Sequence, residues 1–126
     1  MPPDPAHSDE AHMWSMHQVL GELDQISSGH AEADIHTDLA FQRAVERCIE
    51  IIGEMANKVS KETQELHPQI NWRGIISQRH VIAHSYDGIN YDLLWNIITE
   101  HAPILREQLI DILPPAPEDP LPESTP

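Results

Sequence analysis

The chain has 126 residues, enough for one domain with a single buried core and no need of metal or disulfide support. Seven basic side chains stand against 21 acidic ones, a formal net charge of −14; that field repels polyanions at long range and excludes a general nucleic-acid coat, while leaving room for a small local cationic site. One cysteine, Cys48, rules out an intrachain disulfide, no apolar run reaches the roughly 20 residues of a membrane span, and the start MPPDPAHSDE lacks the basic and apolar parts of a signal peptide, so a soluble, cytoplasmic protein with no membrane partner is expected.

Residues 1–8, MPPDPAHS, are too polar and proline-rich to pack and read as a disordered end. From there the apolar residues recur at three and four, the helical period, and no longer stretch alternates as a half-buried strand would. A first helix is predicted after Ser8 as N-cap, with Met13, Met16, Leu20, Leu23 and Ile26 on one stripe, stopping at SSGH. A second runs from Thr37 or Asp38 to about Ser60, with Phe41, Val45, Cys48, Ile52, Met55 and Val59 in register, and Pro68 ends whatever continues. Cys48 on that stripe reads as a buried structural thiol. A third helix, capped by Asn71, reaches about Tyr86, where the DG pair marks a turn. A fourth starts near Tyr91 with Leu94, Trp95 and Ile98; Pro103 should kink or break it before ILREQLIDIL closes the bundle. The tail PPAPEDPLPESTP, 114–126, reads as disordered. The expected fold is an all-α antiparallel bundle of four to five helices over residues 9–113. Of the 21 acids, six lie in residues 1–12 and 114–126, leaving 15 against the 7 bases, so the middle is still near −8.

One residue does not fit the third helix. With Trp72 as origin, Trp72, Ile75, Ile76, Ile82, Ala83 and Tyr86 fall within about 120° of arc, and Arg79 falls near its centre. An unpaired charge in a core is among the costliest features a fold can carry, so something must compensate it. Three accounts are open. Arg79 pairs with an acid of the second helix, Glu46, Glu50 or Glu54. Alternatively, His80 and His84, four apart, begin a metal site that needs a third ligand such as His101. Or the stripe faces a second subunit, and two copies of Arg79 and His84 line a shared cleft. The third account supplies chemistry suited to RNA. Attack of a ribose 2′-hydroxyl on the adjacent phosphate needs a proton acceptor, a proton donor and positive charge on the phosphoryl oxygens. Histidine serves as acid or base near neutral pH, and the arginine fork matches phosphate; neither metal nor cofactor is called for. The other histidines, His7, His12, His17, His30, His36 and His67, read as surface residues, and His101 as a helix-end residue.

The segment RHVIAHSY, Arg79 to Tyr86, resembles the R-x4-H-x-Y motif of HepT-like toxins of the HEPN superfamily. The agreement extends to FQRAVERCIEIIGEMANKVS and INWRGIISQR before it and to YDGINYDLLWNIITEHAPILREQL around and after it. This resemblance implies a HEPN bundle, a homodimer with facing motifs and a metal-independent endoribonuclease acting on RNA. It also implies a minimal nucleotidyltransferase antitoxin that transfers AMP to the motif tyrosine. By position, Arg79 and His84 would be catalytic, His80 a polar auxiliary and Tyr86 the adenylylation site. His80 departs from the asparagine most often found after the arginine. The alternative is a non-catalytic interaction module that binds a nucleotidyltransferase together with nucleotide or RNA.

Overall fold

A computed structural model describes residues 5–83 and 88–114. The described chain is all-α: α1 (Pro5–Ser27), α2 (Glu32–Thr37), α3 (Leu39–Lys58), α4 (Lys61–Leu66), α5 (Trp72–Ala83), α6 (Tyr91–Asn96), a π-helical turn (Ile97–His101) and α7 (Ala102–Ile112). The expected stripes form the core. Met13, Met16, Leu20 and Leu23 of α1 share it with Phe41, Val45, Cys48 and Ile52 of α3 and with Val59 just beyond, and Trp72, Leu94, Ile98 and Leu109 are among the residues that join it.

Local chemistry sets most boundaries. Asp38 caps α3 by accepting the Phe41 N–H at 3.1 Å, and Asn71 Oδ1 accepts the Gly74 N–H at 3.1 Å in the first turn of α5. Gly29 and Gly88 adopt φ of +87° and +103°, values that favour glycine, at the stop after α1 and in the turn before α6.

The chain departs from expectation in three places. The helix begins at Pro5, so residues 5–8, assigned to a disordered end, form its first turn, and Ser8 lies inside it rather than capping it. Proline fits the first helical position, and Asp9 anchors this end: its carboxylate accepts the Ser60 N–H at 2.9 Å, the Ser60 hydroxyl at 2.6 Å and the Thr63 hydroxyl at 2.6 Å. Two six-residue helices, α2 and α4, were not foreseen, because six residues are too few to display a period. Pro103 does not break the rod. The Ala102 N–H reaches back five residues to the Ile97 carbonyl, and this π turn keeps the chain helical on both sides of the proline.

The central element is α3, with α1 along one side and α5 along the other, while α7 packs on α1. Gly53 of α3 meets α5, and Glu46, two turns earlier, meets Tyr91 beyond the end of α5, so α3 and α5 run antiparallel. Among the described residues no comparable packing joins α5 to the α6–α7 rod, and that side of the bundle is open.

Candidate active site

The motif helix is fixed by a glycine. A Cβ built on Gly53 would stand 2.7 Å from the Arg79 Cβ and 3.0 Å from the Ile75 carbonyl oxygen. Only a residue without a side chain lets α3 and α5 cross this closely. The crossing seats the base of Arg79 in the interface, while the residue as a whole is half-buried. Arg79 is therefore on the inward stripe, as its spacing required, but its long side chain reaches the margin of the bundle.

No ion pair among the described residues includes Arg79. The pairing with Glu46 offered as one account of Arg79 is overturned, because Glu46 is committed elsewhere. Its carboxylate accepts the Tyr91 hydroxyl at 2.7 Å and Arg43 Nη1 at 2.9 and 3.1 Å. Glu50 and Glu54 make no ion pair with Arg79 either. His80 is exposed on α5. His84 and Tyr86, with the expected helix end, lie outside the described residues. Among the described residues no three His, Cys, Asp or Glu side chains gather into a group that could hold a metal. His101 is exposed and ends the π turn, at the junction with α7.

Several groups have roles that spacing did not disclose. The Arg43–Glu46–Tyr91 cluster joins α3 to α6, and Arg43 Nη1 also donates to the Tyr91 hydroxyl oxygen at 3.3 Å. Burial and the bond given to Glu46 push the Tyr91 phenol above its ordinary value, against the pull of Arg43. Beside it His36 meets Asp92 at 3.0 Å, linking α2 to α6. His12, His17, His30 and His67 are half-buried rather than surface residues. His30 stacks on Phe41 with ring centroids 4.0 Å apart, and His17 lies edge-on to Trp14. Burial holds the His17 imidazole below its usual value, and the nearby Arg106 charge adds to this. Cys48 is buried as expected, with its thiol pushed up by burial and by the charge of Glu22.

The open side of the bundle holds a groove of about 370 Å³. Ile49 and Ile52 of α3 line it together with Ile75 and Gln78 of α5, and Leu93 and Ile104 stand across from them. Leu93 and Ile104 are large apolar residues 37% and 56% exposed. Oε1 of Gln78 is buried without a hydrogen-bond partner among the described residues.

Comparison with known proteins agrees with this architecture. Over 80 residues the chain is 36% identical to a protein of Caldanaerobacter subterraneus subsp. tengcongensis named as an RNase, covering 64% of this chain and 71% of the other. It is 35% identical over 66 residues to a protein of Methanocaldococcus jannaschii, also named as an RNase, covering 52% and 61% of the two chains. It is 36% identical over 73 residues to a protein of Thermococcus cleftensis named as a ribonuclease HepT, covering 58% and 66%. The chain thus spans between 61% and 71% of the length of these relatives. No solved structure gives a significant match. A family model described as Ribonuclease HepT-like matches residues 16–112, a span from the middle of α1 to the end of α7 that takes in Gly53, Arg79 and the open groove, and the chain belongs to that family.

Proposed function

We propose that the chain is a metal-independent endoribonuclease toxin whose site is built from Arg79 and His84 of two facing protomers. The observation that carries the reading is Arg79: an arginine rooted in a close helix crossing and reaching the bundle margin with no carboxylate partner among the described residues. A cation kept free of carboxylates is available to a phosphate. Membership of the family and the names of the relatives support ribonuclease activity. The open apolar groove along α5, flanked by exposed Leu93 and Ile104, supports a second copy docking on this side.

In this mechanism one His84 imidazole takes the proton of the ribose 2′-hydroxyl as its oxygen attacks phosphorus. The imidazolium of the partner copy gives a proton to the departing 5′-oxygen, and Arg79 stabilises the charge that builds on the phosphoryl oxygens. The bond from phosphorus to the 2′-oxygen forms and the bond to the 5′-oxygen breaks, leaving a 2′,3′-cyclic phosphate. His80 serves as a polar auxiliary. Control comes from a minimal nucleotidyltransferase antitoxin: the Tyr86 hydroxyl attacks the α-phosphate of ATP, pyrophosphate leaves, and the attached AMP obstructs the cleft. Both partners act in the cytoplasm.

The test is RNA cleavage in EDTA. Wild type should cut and leave cyclic phosphate ends, whereas His84→Ala and Arg79→Gln should lose activity with little change in melting temperature. Cleavage that survives in His84→Ala, or that EDTA abolishes, refutes the mechanism. A protein that binds RNA or a nucleotidyltransferase without cutting is the interaction module instead. Intact mass after co-expression with the antitoxin should show AMP on the wild type and none on Tyr86→Phe.

A further inference from the structure

The Arg43–Glu46–Tyr91 cluster is built more elaborately than a structural tie between α3 and α6 requires. A buried tyrosine hydroxyl and a carboxylate satisfy one another without help. Here the side chain of Glu46 is only 10% exposed, while that of Arg43 is 60% exposed, and all three hydrogen bonds of the arginine use one nitrogen, Nη1. Among the described residues Nη2 and Nε have no partner. The guanidinium is thus held by one corner, with its other donors presented to solvent. Holding it this way removes much of the rotamer freedom that a surface arginine must lose when it grips an anion.

Its position relative to Arg79 is set by α3. Gly53 marks the level of Arg79, and Glu46 lies seven residues earlier on the same face, two turns or about 10 Å along the helix. Because α5 is antiparallel to α3, this displacement leads from Arg79 toward the C-terminal end of α5. Two arginines anchored at levels about 10 Å apart suit neighbouring phosphates of a single-stranded RNA better than two oxygens of one phosphate.

We propose that Arg43 is a second phosphate-binding arginine, oriented by Glu46 and Tyr91, that grips the RNA backbone beside the phosphate engaged by Arg79. The inference rests on the ribonuclease reading. Its ligand class is a backbone phosphodiester, read without base specificity. Glu46 and Tyr91 are positioning residues, acting through Arg43 alone. Since the arginine is already paired with a carboxylate, it adds little to long-range attraction and contributes mainly through directed, charge-assisted hydrogen bonds.

The experiment is fluorescence anisotropy of a short single-stranded RNA titrated with the full chain at several salt concentrations, in a His84→Ala background so that the RNA stays intact. Arg43→Gln should bind about tenfold more weakly and lower the salt slope by roughly 0.7, the loss of one phosphate contact. Arg73→Gln, which removes a charge near the start of α5, should leave the slope unchanged. With His84 restored, Arg43→Gln should raise KM at unchanged kcat, and Tyr91→Phe should raise KM about threefold through a less well-held arginine. Wild-type affinity and slope in Arg43→Gln overturn the proposal, as does a fall in kcat at constant KM. If the parent protein neither binds nor cuts RNA, the ribonuclease reading itself falls and this inference with it. RNA binding that is intact and indifferent to Arg43 removes the inference alone.

Discussion

Replacing Gly53 by alanine tests whether the helix crossing seats the arginine. The new methyl would stand 2.7 Å from the Arg79 Cβ and 3.0 Å from the Ile75 carbonyl oxygen. Carbon atoms settle near 3.5 Å or more, so α3 and α5 must part by about 0.8 Å. Neither neighbour can swing aside, since one is backbone and the other the first atom of a side chain. Such overpacking costs about 1–3 kcal/mol, against which alanine regains about 1 kcal/mol of helix propensity over glycine. The net loss is about 0–2 kcal/mol, or up to roughly 10–15 °C in melting temperature for a domain of this size. Activity should suffer more than stability, because a displacement of about 1 Å in a positioning element can cost about a hundredfold in rate. Gly21 is the internal reference. A Cβ there would meet only the guanidinium end of Arg106, at 3.3 Å, and that flexible end can move. Gly21→Ala should melt at or above the wild-type temperature and keep full activity. Thermal melts and RNA cleavage rates of both variants decide the matter: a Gly53→Ala protein as stable and active as Gly21→Ala would refute the claim that this crossing sets the site.

Asp9→Ala removes the acceptor of three hydrogen bonds and strands the Ser60 and Thr63 donors; a loss of about 1–3 kcal/mol is expected in urea unfolding, and an unchanged midpoint would deny Asp9 its anchoring role. Stability should fall on acidification in two windows. His17 is depressed in the folded state, so the unfolded chain takes up its proton first as pH drops below about 6.5, and the stability this group contributes is lost downward from there. Although burial alone would raise the Asp9 carboxyl, its hydrogen bonds from Ser60 and Thr63 prevail and hold it below the usual aspartate range, so its contribution persists above about pH 4 and is lost as pH falls further. Urea midpoints at pH 7.5, 6.0 and 5.0 should drop for wild type and drop less for His17→Gln; parallel curves would discount His17. Ile104→Glu, placed in the open groove, should convert a homodimer to monomer in sedimentation, and dimers that survive both this change and Leu93→Glu locate the interface elsewhere.

Period and capping made the long helices legible: α3 and α5 begin where Asp38 and Asn71 said they would, and every expected core residue of α1 from Met13 to Leu23 is buried. What spacing could not disclose was the level at which helices cross. Spacing offered Glu46 as one of three acids of the second helix that could meet Arg79, but spacing within a helix carries no information on the level at which it crosses another. Glu46 stands about 10 Å along α3 from the Arg79 level, and is captured by Arg43, three residues earlier, and by Tyr91, 45 residues later. Gly53 was visible within EIIGE, yet nothing local distinguishes a glycine that admits a neighbouring helix from one that merely weakens its own. Asp9 looked like part of an acidic end, and only contact with Ser60, 51 residues away, makes it structural.

The acidity of the chain and a phosphate-binding role are compatible once range is considered. At physiological ionic strength charges separated by more than about 8 Å are largely screened, so little of the −14 reaches a seated phosphate. Contact is governed by groups within hydrogen-bond reach, and there the arrangement favours anions. Arg79 makes no carboxylate pair among the described residues, and Arg43 spends one nitrogen on Glu46 and Tyr91 while offering the rest. Half-burial strengthens such contacts, because the protein flank lowers the local dielectric on one side of the arginine. If Arg79 and Arg43 bind phosphate as proposed, recognition of RNA rests on short-range geometry and not on long-range attraction. That is the balance a nuclease needs if its activity is to depend on correct placement of one phosphate between two protomers.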